Sequence, residues 1–327
     1  MKYVELGKTG IIVSKICVGG MSFGDTSTNF HEWTLNQEET TKMIKEAFDL
    51  GVNFIDTANT YSKGTSEQYI GNALKELGIP RDKVVIASKV YFNEGKLSKE
   101  AIRREIEKTL KNLQTDYLDL YQIHRFDYDT PMEEVMSTLN DLVKEGKVRA
   151  IGASAMFGYQ FHNLQLVAEK YGLTLFSTMQ NHYNLLYRED ERELIPVCKQ
   201  YGVSLIPYSP LAGGHLTRLT WNSDSLRSQT DQTLKKKYDK EMDNDLEIIK
   251  RVDELAKKYN VSMAQISLAW LFKKGIASAI VGATKLNHFA DACKSVDLEL
   301  TNEDCDYLEE LYTPKKITGA ILPPKEN

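Results

Sequence analysis

Several features that would assign a chain to other classes of protein are missing from this sequence of 327 residues. No uninterrupted apolar run reaches membrane-spanning length, and the first residues, MKYVELGKTG, lack the apolar core and cleavage site of a signal peptide. The four cysteines are scattered, without a CxxC pair or a Cys/His cluster at metal-ligand spacing. We therefore expect a cytoplasmic protein with reduced thiols and no metal site.

An excess of positive charge is also missing. Lysine and arginine number 41 against 46 aspartate and glutamate residues, which gives a formal net charge of −5. The one dense basic run, LKKKYDK at 234–240, lies among acids and is typical of a solvated helix face. This balance argues against a nucleic-acid or membrane partner, and the expected partner is a small molecule.

Eight short apolar runs are spread along the chain, and several are rich in valine and isoleucine with little alternation of polar residues. Such runs are typical of strands that are buried on both faces of a parallel sheet. The predicted strands are 16–20, 52–56, 84–90, 117–124, 149–154, 175–180, 203–209 and 278–283.

Amphipathic segments with ordinary helix signals separate these runs. Residues 37–51 end on a glycine, 98–114 begin on a serine cap, and 130–147 begin with Thr-Pro. Strand and helix alternate without a linker, which favours an α/β fold of one closed (β/α)8 TIM barrel. The competing fold, an open doubly wound sheet, would be expected to carry a GxGxxG turn after an early strand, and the chain has none.

Three segments lie outside the repeat of this single predicted domain, which spans 1–327. Residues 1–14 are predicted to form an N-terminal hairpin, 212–244 a polar loop after the seventh barrel strand, and 313–327 a tail. A long loop at that position is typical of a binding element.

The predicted strand ends carry polar groups, and the active sites of such barrels lie at the C-terminal ends of their strands. These groups are Asp56, Lys89, His124, Ser154, Gln180, Tyr208 and Ser209, with Tyr61 in the loop after the second strand. Singly, each residue type has a structural explanation, because an aspartate caps turns, a lysine reaches solvent and a histidine is often satisfied in the core. Together on one rim, they indicate an active site.

Proton donation to a carbonyl oxygen is the chemistry that needs this set. A free phenol has a pKa of about 10, which is too high for an efficient acid at neutral pH. We expect the Lys89 ammonium to lower the pKa of Tyr61, and Asp56 to keep that ammonium charged and in place. His124 would hydrogen-bond the carbonyl oxygen. No side chain supplies a hydride, so a nicotinamide cofactor is implied.

Six segments follow one another where barrel strands are predicted to end: GVNFIDTANTYSKGTSEQYIGNAL, VVIASKV, YLDLYQIHR, GKVRAIGAS, MQNHYNLLYR and YSPLAGGHLTR. Over nearly the whole chain, the sequence resembles the aldo-keto reductase family. The nearest branch is that of the aryl-alcohol dehydrogenase-like enzymes, which are similar in fold to the potassium-channel β subunits. The resemblance implies Tyr61 as general acid, Lys89 as its partner held by Asp56, and His124 as the residue that orients the substrate.

The resemblance also implies NADPH or NADP+, extended across the barrel mouth. Ser154 and Gln180 would hold the nicotinamide carboxamide, Tyr208 would stack on the ring, and Lys285 would meet the 2′-phosphate. The residues expected to bind the cofactor are Gly20, Met21, Asp56, Ser154, Gln180, Tyr208, Ser209, Pro210, Leu211, Gly213, Arg218, Gly282, Thr284, Lys285, His288 and Asp291.

The loop that begins SPLAGGHL at 209–216 would cover the pyrophosphate, because its glycines let the backbone come close to a ligand. Arg218 is expected near the pyrophosphate charge. The chain departs from the family's pattern at two positions where the family often has asparagine. They are Ala155 and Ala292.

Residues of the loops around the mouth are expected to bind the substrate, and they are Trp33, Tyr91, Phe92, Arg125 and Phe126. The aromatic residues suit planar carbonyls such as aryl aldehydes, whereas Arg125 favours an anionic substrate such as a sugar phosphate. Three functions stay open: an NADP-dependent aldo-keto reductase, a Schiff-base aldolase-type enzyme with Lys89 as nucleophile, and a nicotinamide-binding regulatory subunit with little turnover.

Overall fold

The architecture is described by a computed structural model over residues 1–28 and 30–324, so that 325–327 of the predicted tail lie outside the described residues. The strands are β1 (Tyr3–Glu5), β2 (Ile12–Ser14), β3 (Ile16–Gly19), β4 (Phe54–Asp56), β5 (Val85–Val90), β6 (Leu118–Ile123), β7 (Val148–Ser154), β8 (Thr178–Gln180), β9 (Ser204–Leu205) and β10 (Ala279–Val281). Seven of the eight predicted barrel strands contain one of β3 to β10, and the remaining one, 149–154, matches β7 except that β7 begins one residue earlier.

The helices lie between and after these strands, and their apolar faces pack against the outside of the sheet. They are α1 (Gln37–Asp49), α2 (Thr65–Glu76), α3 (Lys99–Leu113), α4 (Met132–Lys144), α5 (Gly158–Tyr171), α6 (Leu194–Tyr201), α7 (Leu226–Thr230), α8 (Gln232–Tyr238), α9 (Met242–Tyr259), α10 (Met263–Lys273), α11 (Asn287–Lys294) and α12 (Asn302–Glu309). No helix in the described part of the chain is both long enough and apolar enough to cross a membrane.

Strands β3 to β10 form one parallel sheet in the order β10-β3-β4-β5-β6-β7-β8-β9. Two backbone hydrogen bonds join its outer edges, from Ala277 N to the Leu205 carbonyl (2.8 Å) and from Ile280 N to the Pro207 carbonyl (3.1 Å). The sheet therefore closes on itself, and the prediction of a (β/α)8 barrel is confirmed.

The predicted N-terminal hairpin is formed by β1 and β2, which pair antiparallel from Tyr3 opposite Ser14 to Glu5 opposite Ile12. Leu6, Ile11 and Val13 are buried in one apolar cluster with inward-facing residues of the barrel strands. The hairpin therefore plugs the N-terminal end of the barrel, and the C-terminal end remains as its mouth.

The segment 212–244 after β9 contains more regular structure than its polar composition suggests. It begins with a short 3-10 helix at Ala212–Thr217, continues through α7 and α8, and ends inside α9. The buried side chains of Leu234 and Tyr238 anchor α8 to the barrel. Because these two residues are four apart, they share one helix face.

The tail from 313 to 324 returns across the barrel mouth. Lys315 forms a buried ion pair with Asp245 of α9. Thr318 N donates to the Tyr187 hydroxyl (2.9 Å), and the Tyr128 hydroxyl donates to the Ile321 carbonyl (3.0 Å). The tail is thus docked by polar contacts to residues that are distant in the chain.

We predict that Gly319→Ala loosens this docked tail. Gly319 has φ +92°, and an added Cβ would lie 2.7 Å from the Tyr208 hydroxyl. The expected result is faster amide hydrogen exchange across 313–324, measured by mass spectrometry. Gly275→Ala is the matched control, because Gly275 has φ +85° and open space around its Cβ position. Unchanged exchange in the tail of Gly319→Ala would contradict the docking.

Candidate active site

Asp56 and Lys89 form an ion pair inside the barrel mouth. Asp56 ends β4 and pairs in register with Ala87 of β5, and Lys89 lies two residues further on the same inward face. Lys89 Nζ donates to Asp56 Oδ2 (2.5 Å) and to the Thr57 carbonyl (2.6 Å). Both side chains are almost completely buried, at 0% and 2% exposure.

The second carboxylate oxygen of Asp56 is held by two amides. Gln122 Nε2 and Gln180 Nε2 each donate to Asp56 Oδ1 at 2.9 Å, and Gln180 Nε2 also lies 3.3 Å from Gln122 Oε1. Sequence reasoning missed Gln122, which is fully buried within β6. Its position two residues before His124 was the available signal, because strand residues two apart share a face.

Tyr61 is presented to this ion pair by a sharp turn. Ser62 (φ 46°), Lys63 (φ 55°) and Gly64 (φ 92°) follow it in left-handed conformations. Such conformations cost roughly 1 kcal/mol or more at non-glycine residues, and they cluster at functional sites. Lys89 Nζ lies 4.9 Å from the centroid of the Tyr61 ring.

His124 completes the cluster directly after β6. Its ring centroid lies 5.9 Å from that of Tyr61 in an edge-on arrangement. Its buried Nδ1 has no hydrogen-bond partner among the described residues. Asp56, Tyr61, Lys89 and His124, which the sequence placed on one rim, are therefore brought together in space.

The pKa shifts in this cluster differ in part from those expected from the sequence. Burial raises the pKa of Tyr61 above its ordinary value, and the attraction of Lys89 opposes that shift without reversing it. Burial lowers the pKa of Lys89, but Asp56 and Tyr61 outweigh it, and the net shift is upward. The lysine is therefore charged and the phenol protonated. Lys89 lowers the pKa of Tyr61 as expected, but burial outweighs this effect and keeps the pKa above its ordinary value.

His124 is neutral in this setting. Burial lowers the pKa of its imidazole well below the usual range, and the positive charges of Lys89 and Arg125 lower it further. A neutral imidazole has one N–H that can donate to an oxygen in the mouth.

Ser154 and Gln180 lie next to each other at the ends of β7 and β8. Ser154 Oγ donates to the Gln180 carbonyl at 2.8 Å, and the Gln180 amide is turned toward Asp56. Ala155, where the family often has asparagine, has φ +44°. Asparagine tolerates that conformation better than alanine does. The alanine at this position therefore leaves the backbone of Ala155 strained.

Tyr208 offers a ring with one stacked neighbour. The His182 ring lies 5.1 Å away at an interplanar angle of 11°, and Lys237 Nζ lies 4.7 Å from the Tyr208 centroid. The Tyr208 hydroxyl is buried without a hydrogen-bond partner among the described residues. Neither His182 nor Lys237 was singled out from the sequence.

The glycines of the loop after β9 adopt conformations that other residues rarely take. Gly213 has φ +64° and Gly214 has φ +103°. Arg218 donates to the Gly214 carbonyl (2.6 Å) and to the Trp221 carbonyl (2.9 Å). Arg218 therefore ties the loop to itself here, and its contact with a pyrophosphate stays a prediction.

The residues expected at the adenosine end lie around the start of α11. Gly282, Thr284, Lys285 and His288 are exposed. Asp291 instead accepts hydrogen bonds from Ser262 Oγ (2.6 Å) and from the Gln265 side chain (2.5 Å). Asp291 is therefore engaged in joining α11 to α10.

The remaining residues expected to bind the cofactor line the mouth beside these groups. Gly20 is buried, and an added Cβ would lie 2.9 Å from the Asp56 carbonyl, which explains the glycine by packing alone. Met21 is half-buried beside it. The half-buried residues Ser209 and Leu211 and the buried Pro210 lead from Tyr208 into the glycine loop.

Of the five residues expected to bind substrate, Phe92 and Arg125 lie beside His124. The Phe92 ring is 4.9 Å from that of His124, and the Arg125 guanidinium is 5.5 Å from the Phe92 centroid. Tyr91 packs edge-on against Phe92 at 5.0 Å. Phe30, which sequence reasoning missed, lies 6.0 Å from Tyr61.

Trp33 and Phe126 lie further out. Trp33 is buried and stacks on His31 at 4.5 Å. The Arg227 guanidinium lies 4.5 Å from the centroid of the Trp33 ring. Phe126 packs against Tyr128 at 4.9 Å.

The closed barrel, with an ion pair, a phenol and a neutral imidazole at its C-terminal mouth, defines a (β/α)8 barrel enzyme. Comparisons with known proteins identify the family. The family model described as Aldo/keto reductase family matches residues 15–313. The chain therefore belongs to the aldo/keto reductase family, whose members are oxidoreductases that act on carbonyl groups.

Individual relatives place the chain among the aryl-alcohol dehydrogenase-like members. A Schizosaccharomyces pombe protein named as an aryl-alcohol dehydrogenase is 43% identical, with 98% of both chains covered. Versiconal hemiacetal acetate reductase of Aspergillus parasiticus is 41% identical over 97% of this chain and 98% of its own. The crystal structure of the thermostable aldo-keto reductase Tm1743 with the inhibitor epalrestat matches with a TM-score of 0.76 and 30% identity, over 95% of this chain and 100% of that one.

We predict that Gln122→Leu disturbs the site through Asp56. The change removes a donor to Asp56 and the acceptor of the Gln180 amide, and buried groups left unpaired cost about 1–3 kcal/mol. We expect a lower free energy of unfolding in urea, together with a kcat for aldehyde reduction that falls roughly 10- to 100-fold through misplacement of the ion pair.

Gln165→Leu is the matched control, because Gln165 is equally buried and bonds only to the backbone of Phe176, outside the site. It should lose similar stability and keep its kcat. Equal loss of kcat in both variants would refute a specific role for Gln122.

Proposed function

We propose that the protein is an NADPH-dependent reductase that converts an aldehyde or ketone to an alcohol, and that runs in reverse as an alcohol dehydrogenase. The observation that carries this proposal is the buried ion pair of Lys89 and Asp56 beneath the Tyr61 ring, with neutral His124 at its edge. When bound, the nicotinamide would supply the hydride that no side chain can provide.

The chain's own residues would handle the oxygen of the carbonyl. The neutral imidazole of His124 orients that oxygen by donating a hydrogen bond, and Tyr61 delivers a proton to it as negative charge develops. Although burial raises the pKa of Tyr61, the adjacent ammonium of Lys89 favours the phenolate that forms when the proton leaves.

The residues of the mouth fit a nicotinamide cofactor. The Tyr208 hydroxyl and His124 Nδ1 are buried polar atoms without partners among the described residues, and the Tyr208 ring provides a stacking surface. Ser154 and Gln180 would hold the carboxamide, and the loop 209–216 the pyrophosphate. The preference for a 2′-phosphate rests on Lys285, which is exposed near the start of α11.

The geometry disfavours the Schiff-base alternative. A lysine attacks a carbonyl only as the neutral amine. Lys89 is buried, donates to Asp56 and to the Thr57 carbonyl, and has a pKa raised above its ordinary value. A regulatory subunit with little turnover would not need a complete proton-donor set.

All four cysteines are free thiols, which suits the cytoplasm that we propose as the compartment.

We predict that Tyr61→Phe lowers kcat for aldehyde reduction by about 100- to 10,000-fold, because the general acid is lost. NADPH affinity, measured by quenching of protein fluorescence, should stay near that of the parent. Tyr121→Phe is the matched control, because it removes a buried phenol hydroxyl that has no partner among the described residues. Normal turnover by Tyr61→Phe would rule out Tyr61 as proton donor.

A borohydride experiment separates the reductase from the aldolase-type enzyme. We expect that incubation with an aldehyde and borohydride leaves Lys89 unlabelled in the mass spectrum, because its amine is charged and enclosed. Covalent labelling of Lys89 would favour the Schiff-base function instead.

A further inference from the structure

Arg125 lies beside the imidazole of the site and has no carboxylate partner among the described residues. It follows His124 in the chain, donates to the His124 carbonyl at 2.5 Å, and places its guanidinium 5.5 Å from the centroid of the Phe92 ring. That ring is 4.9 Å from the imidazole of His124. The positive charge therefore stands next to the position at which a carbonyl is expected.

The acids nearest to Arg125 in the chain are engaged elsewhere. Asp127 accepts a hydrogen bond from Leu97 N (3.2 Å), and its other carboxylate oxygen lies 3.9 Å from Lys96 Nζ. Asp129 forms an ion pair with the same lysine. Neither carboxylate neutralises the guanidinium.

Lys237 of α8 is a second cation without a carboxylate partner among the described residues. Its Nζ lies 4.7 Å from the centroid of Tyr208. The nearby acids have other partners: Asp231 caps α8 and lies 3.3 Å from Arg227, and Asp239 accepts a hydrogen bond from a tryptophan indole at 2.9 Å. Lys237 is thus left without an ion pair among the described residues.

The two cations act on each other. Burial, and then repulsion by Arg125, lower the pKa of Lys237 to about 8, against the weaker attraction of Asp231. The charge of Arg125 also reaches Tyr61 and Tyr208 and favours their ionised forms. Repulsion between like charges raises the free energy of the chain where water is partly excluded, and a bound anion would lower it.

We propose that Arg125 and Lys237 form a binding site for an anionic group, a carboxylate or a phosphate, carried by the carbonyl substrate. This inference rests on the proposed function, since it places the carbonyl at Tyr61 and His124. The planar fork of the arginine suits bidentate binding of either anion. The Phe92 face beside it offers apolar surface to the body of the substrate.

The phosphates of the cofactor are the other source of such an anion. They are expected further along the mouth, at the loop 209–216 and at Lys285. Arg125 stands instead at the reacting end, next to His124, through the Phe92 ring. The position of Arg125 therefore favours the substrate.

The test compares 4-carboxybenzaldehyde with benzaldehyde as substrates of the full chain with NADPH. Arg125→Leu should raise KM for the carboxylated aldehyde by about 10- to 100-fold more than it raises KM for benzaldehyde. Lys237→Gln should do the same to a smaller extent. Arg103→Leu, which removes a surface arginine paired with Glu145 on the outer helices, is the matched control and should change neither value.

A binding measurement gives a readout that does not depend on turnover. Calorimetric titration of 4-(hydroxymethyl)benzoate into the protein with NADPH, a combination that cannot react, should show binding that Arg125→Leu abolishes, with benzyl alcohol as the neutral comparison. An equal rise in KM for both aldehydes in Arg125→Leu would overturn the proposal. So would a rise in the Kd of NADPH, which would assign the cations to the cofactor.

The two proposals can fail separately. If the parent protein binds the benzoate through Arg125 and reduces no carbonyl, the reductase function fails and the anion site stands. If it reduces benzaldehyde as readily as the carboxylated aldehyde, the anion site fails and the reductase stands.

Discussion

The ion pair of Lys89 and Asp56 is the interaction on which the arrangement of the barrel mouth depends. An isolated ammonium buried at this depth would be strongly unfavourable, and its charge is retained because a carboxylate and the Thr57 carbonyl accept hydrogen bonds from it. The carboxylate is held in turn by Gln122 and Gln180. Side chains from β4, β5, β6 and β8 therefore converge on one charged group.

The surroundings of that pair come from segments that are far apart in the chain. Arg227 of α7 lies over Trp33 of the loop after β3, and the tail places Gly319 against Tyr208. The hairpin at the opposite end keeps the barrel interior filled with apolar side chains. Polar groups and space for a ligand are thus concentrated at one end, where the loops can shape them.

Much of this architecture could be predicted from local patterns. The apolar runs at 84–90 and 117–124 contain β5 and β6 because strands buried on both faces need apolar residues throughout. Asp56, Lys89 and His124 could be assigned to one rim because parallel strands of a barrel all end at the same mouth. Gln122 escaped notice because it stands inside such an apolar run. The helices of 226–238 escaped notice because few of their residues are apolar.

The sequence by itself determined the alternation of strand and helix, the closed barrel and the four residue types at its mouth, since each follows from short-range patterns and from chain order. Only the tertiary structure decided how the groups titrate. Burial depends on every neighbour at once, and here it raises the pKa of Tyr61 despite the adjacent lysine. The same holds for the unpaired charges of Arg125 and Lys237, because the folded chain commits the nearby acids to other partners.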